Sequence, residues 1–176
     1  MVFRMIHGRF RSVRALGAAC VAIAASACYS FSGGGGFPSE IRTVYIAPFE
    51  NQTPQFDIEN LLFSKMQEQL PRSLGVRPAG ENVADAVIRG RIMRYDDVAQ
   101  SYQPGTGSSV QVTSNQVTVT VAVEIVDVKN NVILWDSQSV SGRGEYRPDT
   151  QQDRTAWDKA LDALIQQIVD GAQSQW

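Results

Sequence analysis

The chain has 176 residues, of which 43% are hydrophobic, 9% aromatic and 19% charged, an ordinary globular composition that is neither disordered nor collagen-like. A formal charge of −2 argues against a nucleic-acid binder, which carries a basic surplus or a dense basic stripe. The single histidine, His7, and both cysteines, Cys20 and Cys28, fall within the first 28 residues. The remainder of the chain therefore lacks the side chains of most metal and nucleophile chemistry.

Arg4, Arg9, Arg11 and Arg14 precede an apolar run from Ala15 to Ala27, and no acidic residue interrupts them. A basic segment, a short apolar core and the small residues Ala25-Ser26-Ala27 predict a secretory signal peptide over residues 1–27. The run is too short for a membrane-spanning helix, which needs about 20 residues. Two cuts fit. Ala25-Ser26-Ala27 suits ordinary signal peptidase, whereas the same residues followed by Cys28 resemble a bacterial lipobox with Ala25 in place of the usual leucine. The second is favoured, because lipidation gives a use to an otherwise odd secreted thiol. Cys28 is then expected to carry a diacylglyceryl group, with its amine acylated or free, since stable anchoring takes at least two chains. Cleavage lowers Lys+Arg from 16 to 12 against 18 acids, so the mature charge is −6. Binding to anionic groups would then need a local cationic patch.

Residues 28–40, with Gly33 to Gly36 and Pro38, have the composition of a flexible tether. Residues 41–176 read as one α+β domain, long enough to bury roughly 68–70% of its unfolded surface. Ile41 to Phe49 predicts the first strand, ended by Pro48. Thr53-Pro54 predicts a helix start, with an apolar face of Ile58, Leu62, Met66 and Leu70 running to about Leu70 before Pro71. Gly75 to Asp85 reads as turn with a short strand near Val76. Ala86 to Tyr95 predicts a strand with Ala86, Ile88, Gly90 and Ile92 on one face and Val87, Arg89, Arg91 and Met93 on the other. Residues 104–108 predict a hairpin tip. Val110 to Val128 is the clearest strand, with Val117, Val119, Val121, Val123 and Ile125 on one face. Val132 to Gly142 is its partner. Thr150 and Asp153 predict a capping box for a last helix, whose stripe is Trp157, Ala160, Leu161, Leu164, Ile165, Ile168 and Val169. The expected fold is α+β, two helices packed on a mostly antiparallel sheet of about four strands.

No Ser-His-Asp or Cys-His arrangement fits in the mature chain, and a His/Cys zinc site is excluded. No catalytic residue, metal or cofactor is expected. Asp96-Asp97 would point to opposite faces of a strand and not flank one bond; a solvated strand end is the reading. Asn51-Gln52-Thr53 reads as strand exit and helix cap, not as a glycosylation site. Arg89 and Arg91, with Arg94 nearby, admit two readings. One is a solvent face or salt-bridged edge, which is favoured; the other is a phosphate-binding patch, because guanidinium grips phosphate bidentately.

Cys28-Tyr29-Ser30-Phe31-Ser32-Gly33, the stretch from Ile41 to Thr53 with Pro48-Phe49-Glu50-Asn51-Gln52-Thr53 at its exit, and Trp135 before a C-terminal amphipathic helix together resemble lipopolysaccharide-assembly lipoproteins of the LptE type. The family's usual glycine after the cysteine is replaced by Tyr29. The resemblance covers most of residues 28–170. It implies a non-enzymatic protein held by its lipid on the periplasmic side of the outer membrane. Such a protein plugs and helps assemble the β-barrel that inserts lipopolysaccharide into the outer leaflet. The barrel is the implied partner and lipopolysaccharide a candidate ligand, contacted through Arg89, Arg91 and Arg94. The Ala47-Pro48-Phe49-Glu50-Asn51-Gln52-Thr53 stretch also resembles lipoproteins that activate peptidoglycan synthases or build secretion channels, and this alternative stays open.

Overall fold

The computed structural model describes residues 37–104, 110–149 and 152–175; the lipobox, Cys28 and the hairpin tip lie outside them. The order is β1 (Thr43–Ile46), β2 (Glu50–Asn51), α1 (Ile58–Leu74), β3 (Arg77–Pro78), β4 (Ala86–Pro104), β5 (Val110–Asp127), β6 (Val132–Tyr146) and α2 (Asp153–Gln173). These strands form one six-stranded sheet in the order β3-β1-β4-β5-β6, with β2 pairing β4 beside β1. The α+β class agrees with the sequence and the three long strands pair antiparallel as expected, but the count of about four strands does not agree: six strands form a mixed sheet. β4, β5 and β6 form antiparallel hairpins, whereas β1 runs parallel to β3 and β4, and β2 parallel to β4. The strand expected over Ile41–Phe49 is shorter, Thr43–Ile46, ending before Ala47-Pro48, and a second short strand just beyond it, Glu50–Asn51, rejoins β4 further along. β4 and β6 also run past the ends expected at Tyr95 and Gly142.

α1 starts four residues later than Thr53-Pro54 suggested and runs through Pro71. Thr53 is tied to Asn51 instead, its hydroxyl donating to Asn51 Oδ1 at 2.8 Å. Pro71 falls in the last turn, where one backbone bond is lost and the helix is about to end anyway. What stops α1 is Gly75, at φ +71°. Its N–H donates to the Arg72 carbonyl and the next N–H, of Val76, to that of Pro71, the paired pattern of a Schellman end. α2 begins at Asp153 after Gln152, without a side-chain cap; the capping role expected of Thr150 lies outside the described residues.

Both helices lie on one face of the sheet. The core joins Ile58, Leu62, Met66 and Leu70 of α1 to Leu161, Leu164, Ile165 and Ile168 of α2. Beneath them lie Ile88, Ile92, Val117, Val119, Val121 and Ile125 of the sheet. Gly142 and Gly144 of β6 let α2 come close, since a Cβ there would stand 1.9 Å from the Ala160 carbonyl oxygen and 2.0 Å from that of Ala156. Trp135 packs over Gly171 near the other end of α2. Between the helices, Lys65 pairs with Asp162 at 2.8 Å and Asp158 at 3.2 Å. Burial acts to lower the Lys65 pKa, but the two carboxylates prevail and raise it.

Candidate functional site: the open face of the sheet

Among the described residues no helix covers the opposite face of the sheet. On β4 it begins as the alternation predicts, with Val87, Arg89 and Arg91 outward and Ala86, Ile88 and Ile92 buried. A register shift then intervenes. Ile92 lies opposite Val121 and Arg94 opposite Thr120, leaving Met93 as the extra residue of a bulge. Thr118, Thr120, Ala122 and Glu124 of β5 share the open face, so the bulge returns Arg94 to the face of Arg89 and Arg91. It also turns Tyr95 and Asp97 inward. The structure thus brings the three candidate arginines together, through an irregularity that strict alternation does not contain.

The arginines do not form an isolated cationic patch. Arg89 Nε donates to Glu124 Oε2 at 2.9 Å, and Glu124 faces Asp136 across β6. Glu50 of β2 is in register with Arg91. Arg89, Arg91, Glu50, Glu124 and Asp136 rim a shallow depression of about 390 Å³ floored by Gly90 and Ala122. Arg91 and Arg94 are exposed and make no ion pair among the described residues. The salt-bridged reading therefore holds for Arg89, while two guanidiniums stay available to an anion. Further along, Thr120 and Ser141 share a hydrogen bond at 2.8 Å, and Asp96, Thr118 and Arg143 stand in one cross-strand row. At the other end the row Tyr45, Val87, Val126 and Ile133 is apolar. The face is thus mixed in charge and rich in hydroxyl groups, able to hydrogen-bond widely but not to attract one sign of charge strongly.

Two polar nodes, one buried and one partly exposed, fix this sheet at its ends, and neither was apparent from sequence alone. Asp85, just before β4, accepts from the backbone N–H groups of Arg42 and Thr43 at 3.0 Å each and from the Thr43 hydroxyl at 2.8 Å. Lys129 of the β5–β6 turn pairs with its other oxygen. Lys129, Thr43 and the Arg42 N–H hold the carboxyl far below the usual carboxylate range. Asp127 closes the same turn by accepting from Asn130 and Lys129, and the Asn130 bonds lower its pKa. At the far end Asp97 accepts from Tyr146 Oη at 2.8 Å and Asn115 Nδ2 at 3.1 Å. Asp96 and Asp97 do point to opposite faces, but in mid-strand and not at a strand end. Trp157 Nε1 donates to Tyr95 Oη at 3.0 Å, the rings meeting edge to face at 6.0 Å. Burial raises both tyrosine pKa values, helped at Tyr146 by the Asp97 carboxylate, so both phenols stay neutral, Tyr146 as a donor and Tyr95 as an acceptor. These groups are spent on structure. Among the described residues no cluster of three His, Cys, Asp or Glu could hold a metal, and no helix is long and apolar enough to cross a membrane.

A two-layer domain with one helix-covered face and one open, mixed-charge face defines a sheet-platform protein. The profile of the LptE lipopolysaccharide-assembly family matches residues 41–171, and the chain belongs to that family. No curated protein matches the sequence. Among solved structures, lipoprotein B of Nitrosomonas europaea is 13% identical over 80% of this chain and 86% of its own, with a TM-score of 0.52. That likeness supports the fold. PelC of Paraburkholderia phytofirmans, a dodecamer, is 17% identical over 76% and 89%, at 0.48. A lipoprotein of Neisseria meningitidis is 14% identical over 73% and 96%, at 0.44.

Proposed function

We propose that this protein is an outer-membrane lipoprotein, anchored through Cys28 on the periplasmic side. It fills and helps assemble the β-barrel that delivers lipopolysaccharide to the outer leaflet. The family match over residues 41–171 carries the reading, and the open face supports it. Barrel lumens are polar, and a surface of alternating charges and hydroxyl groups can satisfy such a wall without one large hydrophobic patch. The role is non-catalytic: it needs a shaped, hydrogen-bonding surface and no reactive group. Lipopolysaccharide phosphate is met by Arg91 and Arg94, with Arg89 held to Glu124.

Affinity purification from detergent-solubilised envelopes tests the reading. A stoichiometric outer-membrane barrel is expected as the main partner, and depletion of the protein should lower barrel levels and surface lipopolysaccharide. A peptidoglycan synthase or a secretion-channel component as main partner, with barrel levels intact, would replace it with the alternative.

A further inference from the structure

Four of the large exposed apolar side chains gather at one end of the sheet. Val128 (49% exposed), Val132 (51%) and Ile133 (55%) flank the β5–β6 turn, and Val83 (73%) sits in the turn before β4. The chain enters the domain at the same end. Asp85 accepts from the N–H of Arg42 with one oxygen and pairs with Lys129 of the turn through the other. The Val128 N–H donates to the Asp85 carbonyl at 2.9 Å. The entry point and the apolar turn are therefore held to one aspartate. Both carboxylates of the turn region, Asp85 and Asp127, are buried and turned inward. The outward charges are Arg42, Arg77 and Lys129 against Glu40 and Glu81, close to balance.

Phe37 follows Cys28 by nine peptide steps, a span of at most about 30 Å. A lipid on Cys28 keeps this end, and not the β4–β5 hairpin, within reach of the bilayer. Exposed valine and isoleucine with near-balanced charge suit the headgroup–acyl boundary, where apolar side chains leave water. We infer that, before the domain enters its barrel, the Val83, Val128, Val132 and Ile133 end of the sheet rests in the phospholipid leaflet that holds the lipid anchor, setting the free lipoprotein upright with its hairpin pointing away. The inference rests on the reading of Cys28 as the anchor. Apolar contact carries the docking, so it persists in neutral lipid and responds weakly to salt.

Once the signal peptide and Cys28 are accounted for, the mature chain has no other cysteine, so one introduced thiol can be labelled alone. The full-length protein, matured in cells with its lipid adduct verified by mass spectrometry, is labelled with an environment-sensitive fluorophore at Val132→Cys or Tyr102→Cys. It is then placed in phosphatidylethanolamine–phosphatidylglycerol vesicles carrying brominated acyl chains. Quenching at position 132 is expected to exceed that at 102 by about threefold or more, as for a probe held at the acyl boundary. Adding Val128→Asp and Ile133→Asp should abolish the difference while the folded far-UV spectrum remains. Equal quenching at the two positions overturns the inference. So does a blue shift at 132 that grows with protein concentration without bromine quenching, the mark of a second copy. If mass spectrometry finds no adduct, the anchor reading fails separately. The docking is then decided with Cys28→Ala protein at millimolar lipid, where the same excess at 132 is expected and equal quenching rejects it.

Discussion

The two faces of this sheet are made by the same strands and differ completely in what they do. On β5, Val117, Val119, Val121, Val123 and Ile125 are buried beneath the helices, while Thr118, Thr120 and Glu124 between them face outward. One face supplies the stability; the other supplies a surface free to vary. The difference teaches that a small domain can carry a wide binding surface without weakening its core, because strand alternation keeps the two in separate layers.

Substitutions on the two faces should therefore differ sharply. Val121 lies between Ile92 and Val140 at zero exposure, and Val121→Asp would bury an unpaired carboxylate. We expect a loss of roughly 4 kcal/mol or outright unfolding, read by thermal melting; a melting point near that of the parent would show that the face is misassigned. Gly142→Ala tests the contact between β6 and α2. Its Cβ cannot share space with the Ala160 carbonyl, and displacing α2 should cost roughly 1–3 kcal/mol in urea denaturation. Tyr95→Phe leaves the Trp157 N–H without its acceptor, an expected loss of about 1–2 kcal/mol. The same change at Tyr102, on the exposed hairpin, should be neutral.

Acid should attack the covered layer at its edge. Asp85 has a pKa lowered by Lys129, Thr43 and the Arg42 N–H, and Asp127 one lowered by Asn130. A carboxylate whose folded pKa lies below its unfolded value of about 3.9 contributes stability fully above that value and loses it as pH falls toward the folded pKa. Melting temperature should accordingly drop below about pH 4, and Asp85→Asn should flatten that limb while lowering stability at neutral pH. The smallest effect on folding belongs to the open face. Arg91→Glu with Arg94→Glu should change stability by no more than about 0.5 kcal/mol yet weaken lipopolysaccharide binding in a pull-down. Unaltered binding would reject the arginine contact and leave the barrel partnership untouched.

The covered face was legible in the sequence because its signal is periodic. The valines of β5 and the α2 stripe repeat at the spacings their structures require, and both are buried as expected. The open face was only half legible. Arg89 and Arg91 follow from alternation, but Arg94 joins them through the Met93 bulge, and one extra residue leaves no periodic mark. Glu50, Glu124 and Asp136 come from three other strands, so their juxtaposition depends on register, which no single segment encodes. β2 and β3 span two residues each, too short for any alternation to show. Pro71 misled in a different way: as a helix breaker it pointed to an end at Leu70, whereas backbone geometry at Gly75 decides where α1 stops.

The mixed topology also bears on the order in which this molecule can fold. β4, β5 and β6 are joined in sequence as hairpins, so their pairing closes short loops. β1 must find β4 in parallel, with Val44 beside Ala86 and the whole of α1 between them, and closing that longer loop costs more chain entropy. Local pairing is the faster process, so the hairpins are placed to form first and the N-terminal strand to dock last. The Asp85 node, which needs both Arg42 and Lys129 in position, can be completed only at that final step. Amides of β1 should then exchange with solvent sooner than those of β5 in the native protein, and the first strand of the chain would be the first to leave and the last to return.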